Sequence, residues 1–350
     1  MEGYLLLADG TRLDGTMCGA DKVAVGWVVA NTSVVGFQEM VTDPAYRNAV
    51  LAFTYPEIGN VGVTAAFAES GRVQVAGLVV RVLSTCRSHY RSEDNFEAAL
   101  RADGTPCLCD VDTRGLAVHL REKGEMAAAI APARVDEAEL GRRLETEQRP
   151  VPGPADSPVA PDGSGPVIAV LDLGARRSDL AQIGRCAQPR VFEANATAAD
   201  ILASRPAGVL VSDGPGLSLP PAAAVETLRD LVGKVPVMGF GLGNIALGLA
   251  LGCEATFLKR GHHGANCPVR RLSEGTVEVT SQRHSVVLGR ASVETANGVK
   301  VTREHLNDGT VEGISADDGR AVGLQAVPQA PMKGMLNPHI EWFVGTLCAS

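Results

Sequence analysis

The amino-acid sequence predicts an α/β protein with two unlike halves: a mixed α+β domain over residues 1–148, a linker over 149–166 and a doubly wound α/β domain over 167–350. Three observations predict it. The first 130 or so residues hold short runs rich in β formers, with no regular alternation of strand and helix. A tract dominated by proline, glycine and small polar residues follows. From Val167 onward, buried-type strands alternate with helical patterns, as in a parallel sheet covered on both faces. A length of 350 residues with 45% apolar content is enough for about two domains, each with its own core.

In the first half, strands are expected at 3–7, 24–30, 49–54 and 74–82, broken at Asp9-Gly10, Asp43-Pro44 and Ile58-Gly59-Asn60, where turn formers cluster. Helices are expected at 92–102 and 115–122, with a short apolar strand at 106–111 between them. The tract from Arg149 to Pro166 cannot bury a core and is expected to be extended. After it come a strand at 167–173, a helix at 176–186, a strand at 190–193 and a helix at 197–204 with Thr197 as N-cap. A strand at 208–212, a helix at 221–232 opening on Pro221 and a strand at 235–240 continue the pattern. Past residue 253 it shifts to short strands with turns, at 277–280, 299–302, 309–314 and 321–324, and then a helical piece at 339–347. Ligands of doubly wound sheets sit at the carboxyl ends of the strands. Two glycine-rich strand ends, Asp213-Gly214-Pro215-Gly216 and Gly239-Phe240-Gly241-Leu242-Gly243, are therefore expected to line one crevice.

Composition narrows the partners. A net charge of -8 with no basic block argues against nucleic acid. The apolar runs, 246–251 among the longest, fall far short of the ~20 residues that cross a bilayer. Residues 4–8 are too short for a signal-peptide core and follow no basic segment, so a cytoplasmic location is expected. The eight cysteines are scattered without a framework, as free thiols are in a reducing compartment. Cys107-Leu108-Cys109 is too tight for the usual zinc spacing, and adjacent His262 and His263 with Cys267 are a poor ligand set, so neither a metal nor a cofactor is expected. The glycines at 239, 241 and 243 do not make a dinucleotide fingerprint, which needs glycine where Asn244 stands and belongs after a first strand.

The turn at Gly239-Phe240-Gly241-Leu242-Gly243 has the form of a nucleophile elbow, in which flanking glycines permit close packing and a central side chain stands exposed on a strained backbone. Here the central residue is Gly241, which has no side chain to attack with.

The segments Asn31-Thr32-Ser33, Gly36-Phe37-Gln38-Glu39, Thr42-Asp43-Pro44, Thr54-Tyr55-Pro56, Ile58-Gly59-Asn60-Val61-Gly62, Asp110-Val111-Asp112-Thr113-Arg114 and Leu120-Arg121-Glu122-Lys123-Gly124 carry a dense family pattern. With Asp172-Leu173-Gly174-Ala175-Arg176-Arg177 and Gly261-His262-His263-Gly264-Ala265-Asn266, they make the chain resemble the small subunit of carbamoyl-phosphate synthetase over essentially its whole length. The resemblance implies a small-subunit N-terminal domain followed by a class I glutamine amidotransferase-like domain, with a synthetase large subunit as partner. The amidotransferase chemistry needs a cysteine to attack the glutamine carboxamide, a histidine to move its proton and a glutamate to orient the histidine. By the resemblance those places fall on Gly241, Val327 and Gln329, so the triad is degenerate. The substrate pocket departs as well: Ala45 stands for a glutamine-contacting serine, Ile245 for a glutamine, and Arg283-His284-Ser285-Val286 for Asn-His-Gly-Phe.

The resemblance also implies an oxyanion hole built from the backbone N–H groups of Gly214 and Leu242, with Gly216 in the same loop, and such donors survive side-chain change. Asp213 and Arg283 replace two family asparagines on neighbouring loops, and two arrangements are open. Either they pair and plug the space over Gly241, which is the expected outcome, or they point apart around a cavity for a small-molecule ligand. A rebuilt site would draw on Asp213, Arg283 and His284, although a histidine at 284 is also a family feature.

Two functions of different kinds follow. The first is a small subunit without glutamine hydrolysis that binds a large subunit and supports carbamoyl phosphate formation from ammonia. The second is a fold reassigned to cyclise or rearrange a small molecule in specialised metabolism. A purely regulatory or scaffolding role is the third and weakest reading.

Overall fold

Two-residue alternation along the early strands decides the architecture of the N-terminal region. The strands are Glu2–Leu7 (β1), Arg12–Gly19 (β2), Ala24–Asn31 (β3), Ala49–Phe53 (β4), Glu57–Ile58 (β5), Gly77–Val79 (β6), Val82–Leu83 (β7), Pro106–Cys109 (β8) and Met126–Pro132 (β9). All but β5 and β7, which pair with each other, close into a barrel in the order β1-β2-β8-β6-β4-β3-β9. Leu5, Leu7, Val28, Val50, Ala52, Val79, Leu108, Ala128 and Ile130 share one core with Leu116 and Leu120. The alternate residues Tyr4, Leu6, Ala127, Ala129 and Ala131 turn the other way, against Leu140 and Leu144. The helices are Phe37–Val41 (α1), Phe96–Ala102 (α2), Thr113–Lys123 (α3) and Glu137–Thr146 (α4). α2 starts later than the periodicity implies because the Asn95 side chain accepts from Ala98 N–H at 2.6 Å and caps it there.

The computed structural model describes residues 1–150, 160–316, 319–327 and 335–348. The chain divides into two units, Met1–Pro150 with Lys259–Gly264, and Val151–Leu258 with Ala265–Ser350. In the first unit, the Glu125 carboxylate accepts from Gly261 N–H at 2.8 Å and lies 3.2 Å from His263 Nε2. His263 is buried and its ring sits 5.8 Å from that of Tyr46, so it is part of this core.

The second unit contains a nine-stranded sheet, apart from residues 259–264 of one strand, which belong to the first unit. Its strands are Val167–Asp172 (β10), Gln188–Glu193 (β11), Gly208–Val211 (β12), Val237–Phe240 (β13), Ala255–Arg271 (β14), Val277–Leu288 (β15), Lys300–His305 (β16), Val311–Ala316 (β17) and Ala321–Leu324 (β18). They lie in the order β11-β10-β12-β13-β18-β17-β15-β14-β16. The first five are parallel, and β17 turns the sheet antiparallel. The helices are Arg177–Gly184 (α5), Ala198–Ala203 (α6), Ala222–Leu231 (α7), Leu242–Ala250 (α8), Arg290–Thr295 (α9) and Pro338–Trp342 (α10).

Odd and even strand residues face opposite layers, which is what doubly wound means at the level of side chains. Ala169, Leu171, Val209, Val211 and Val237 pack under α6, α7 and α8. Ile168, Val170, Leu210 and Met238 pack under α5 and α10. Beyond residue 253 the expectation of short strands is wrong for β14 and β15, which run for 17 and 12 residues. The single strand expected at 74–82 is instead the pair β6 and β7.

Candidate active site

The C-terminal end of β13 leads straight into α8 through Gly241, whose φ of 51° and ψ of -113° suit glycine and strain any other residue. The backbone is pinned there by Gly241 N–H, which donates to the Leu324 carbonyl of β18 at 2.8 Å. The flanking glycines serve packing. A Cβ on Gly239 would overlap the Gly243 carbonyl, and one on Gly243 would overlap the carbonyls of Val211 and Ser212 at the end of β12. The bend therefore has the packing of a nucleophile elbow around a residue with no side chain.

A carboxylate takes up the space beside Gly241. Asp213, just after β12, places Oδ1 so close to Gly241 that a Cβ on that residue would overlap it. That oxygen accepts from Gly214 N–H at 2.8 Å and from Leu242 N–H at 3.0 Å. Two backbone donors converging on one anionic oxygen is the geometry of an oxyanion hole, here filled from within the chain. Gly214 is held by close approach, since a Cβ on it would overlap the Leu173 carbonyl. Gly216 is held likewise against the backbone of Arg283, with Ser285 N–H donating to its carbonyl at 2.8 Å.

Arg283 of β15 reaches the same carboxylate from the other side, its Nη2 lying 3.7 Å from Asp213 Oδ2. This is an ion-pair distance, longer than a hydrogen bond, so the two amides and not the guanidinium are the closer partners of Asp213. Burial pushes the Asp213 carboxyl above its ordinary value, against the opposing pull of the Leu242 and Gly214 N–H groups and of the Arg176 charge. Burial draws the Arg283 guanidinium down, to about 9, which leaves it charged at neutral pH. Arg176 is itself buried and forked onto Asp179, with Nε to Oδ2 at 2.9 Å and Nη2 to Oδ1 at 2.5 Å.

The remaining candidates lie in different surroundings. His284 follows Arg283 along β15 and is buried, with Nε2 4.0 Å from Glu312 Oε1. Glu312 in turn accepts from Gln282 Nε2 at 2.6 Å. Val327 is buried after β18, its N–H donating to the Ser281 carbonyl at 3.0 Å. Gln329 lies outside the described residues. Ile245 is packed into the core beneath the sheet, and Ala45 is buried in the first unit. Asn244 is fully buried and donates from Nδ2 to Gln325 Oε1 at 2.6 Å.

Gln325 carries no local sign of belonging to this region because its partner Asn244 lies 81 residues away, and the local Arg176–Asp179 pair gives no sign of its approach to Asp213. The legible sign was the pair of opposite charges, Asp213 and Arg283, on neighbouring loops.

A barrel followed by a doubly wound unit with an elbow at the end of its fourth parallel strand defines a protein with a class I glutamine amidotransferase-like domain. The comparisons agree. Residues 5–130 match the family described as carbamoyl-phosphate synthase small chain, CPSase domain, and residues 172–332 match glutamine amidotransferase class-I. The carbamoyl phosphate synthase small chain of Methanopyrus kandleri is 39% identical over 342 residues, covering 94% of each chain. That of Symbiobacterium thermophilum is 39% identical over 88% of each chain. The pyrimidine-specific small chain of Lactiplantibacillus plantarum is 35% identical over 94% of this chain and 91% of its own. The chain belongs to the carbamoyl phosphate synthase small chain family.

Proposed function

We propose that this small chain does not hydrolyse glutamine, and that it binds a synthase large chain and supports carbamoyl phosphate formation from free ammonia. One observation carries the reading: Asp213 Oδ1 takes both N–H donors of the oxyanion hole and the space above Gly241. Hydrolysis of a carboxamide passes through a tetrahedral oxyanion, which needs those donors free and a nucleophile on the opposite side of the carbon. Here the donors serve an internal anion, and residue 241 supplies no atom that can bond to the substrate. To enter, a glutamine carbonyl would first have to displace charge-assisted hydrogen bonds worth about 1.5–3 kcal/mol each.

Family membership at 39% identity over 94% of the chain supports retention of the large-chain partner. The same geometry weakens the reading of a reassigned enzyme, because Asp213 and Arg283, its principal candidates, face each other and the backbone. Co-elution with a large chain, followed by assay of carbamoyl phosphate from ammonia, bicarbonate and ATP, tests the proposal. A complex whose ammonia-dependent rate exceeds that of the large chain alone is expected. Separate elution of the two chains at micromolar concentrations would refute it.

A further inference from the structure

The first unit contains a group of thiols that the proposed function does not use. Cys18 lies on β2, and Cys107 and Cys109 lie on β8, which pairs with it antiparallel. The register sets Cys18 opposite Cys107 and Thr16 opposite Cys109. Side chains two apart on a strand share a face, so all three thiols project from the same side of the ladder. Cys18 and Cys109 are diagonal neighbours, and their sulfur atoms are 2.6 Å apart. Both are free cysteines. α2 packs over β2 and β8 here, with the Leu100 Cβ 3.5 Å from where a Cβ on Gly19 would stand. The ladder hydrogen bonds and this covering helix hold the two sulfurs in place, and Cys18 keeps an edge open to solvent.

We infer that Cys18 and Cys109 are a modification site: the pair closes to a disulfide when the protein meets a small-molecule disulfide such as oxidised glutathione. Only about half an ångström of further approach separates 2.6 Å from the ~2.05 Å of a sulfur–sulfur bond, within reach of small side-chain rotations. The Cys18 thiolate attacks one sulfur of the added disulfide and expels a glutathione thiolate. Cys109, as its thiolate, then attacks the Cys18 sulfur and expels the second. The protein gives up two protons and two electrons, and one molecule of oxidised glutathione becomes two of reduced glutathione. Cys107, opposite Cys18 in the register, touches Cys109 and is the competing partner.

The rate carries a signature. Hydrogen bonding to Cys109 and burial push the Cys18 thiol far up, and hydrogen bonding to Cys107 and burial push Cys109 up. The thiolate is the attacking species, so closure is slow at neutral pH and accelerates roughly tenfold per pH unit. Once formed, the bond spans 91 residues of sequence and constrains the unfolded chain.

The test equilibrates the full chain and its Cys107→Ser, Cys18→Ser and Cys109→Ser variants with reduced and oxidised glutathione at pH 8.5. Free thiols are then alkylated in acid, and the peptides are mapped by mass spectrometry. The wild type and Cys107→Ser are expected to give a peptide pair joined through Cys18 and Cys109, lighter by two hydrogens. The other two variants lack it. The oxidised wild type should also melt roughly 5 °C higher than the reduced protein. Mixed disulfides alone, or a Cys18–Cys107 bond, in protein that still shows its native melting transition would overturn the assignment.

Discussion

Asp213 Oδ1 lies so close to Gly241 that a Cβ there would overlap it, and it is held in place by hydrogen bonds of 2.8 Å and 3.0 Å from Gly214 and Leu242. The position of Asp213 therefore depends on glycine at 241: the carboxylate can sit there only while residue 241 has no Cβ. A side chain at 241 has to expel the carboxylate, and expelling it exposes a buried acid near Arg176 and Arg283.

Gly241→Cys is accordingly expected to be destabilising and inactive. The left-handed φ of 51° and the overlap with Asp213 together should cost about 2–5 kcal/mol. Urea denaturation measures the loss, and ammonia release from glutamine measures the activity. Appreciable hydrolysis by this single variant would mean that the surrounding pocket has been misread.

Asp213 should also leave a mark on the pH dependence of stability. Burial raises its carboxyl, so the folded protein holds the proton more tightly than the unfolded chain does. The stability this lends is complete below the unfolded value of about 4, and it is lost as pH rises through the raised folded value. Asp213→Ala lacks the group, so wild-type stability minus variant stability should fall as pH rises above about 4. A difference that instead grows with pH would show that Arg176 and Arg283 outweigh burial and hold the carboxyl down.

His339, at the start of α10, makes the opposite prediction. Burial first, and the Arg303 charge second, lower its imidazole to about 4. The folded state thus favours the neutral ring, and the stability from it is present above the unfolded value of about 6.5 and declines as pH falls towards the folded one. Nuclear magnetic resonance should find the His339 ring unprotonated at pH 5.5. An ordinary titration near 6.5 would contradict the burial seen here.

Asn244→Ala removes a fully buried donor and leaves Gln325 Oε1 without it. A loss of about 1–3 kcal/mol is expected, with little further loss when Gln325→Ala is added. Additive losses in denaturant melts would mean the two amides are not coupled.

How much of this was legible in the sequence depends on where the determining contacts lie. The parallel strands and their helices followed from local pattern, and the elbow from three glycines two apart. β2 escapes such a reading because Gly15, Gly19 and Asp14 depress strand propensity; pairing with β1 and β8 holds it in place. β9 is alanine-rich and resembles helix, yet closure of the barrel on β1 and β3 buries it as a strand. β14 contains Gly261, Gly264 and Pro268, which look like breakers in isolation. At the site, Asp213 and Arg283 stood out as charged replacements. The backbone amides that claim Asp213 have no side-chain signature, so an ion pair was the nearest reading available.

The central claim is that this small chain lacks glutamine hydrolysis while its large-chain partner works on ammonia. The most direct measurement is carbamoyl phosphate formation by the reconstituted pair, supplied in parallel with glutamine or with an ammonium salt. Formation from the ammonium salt alone, with no glutamate released from glutamine, is the predicted result. Equal formation from glutamine, accompanied by stoichiometric glutamate, would contradict it.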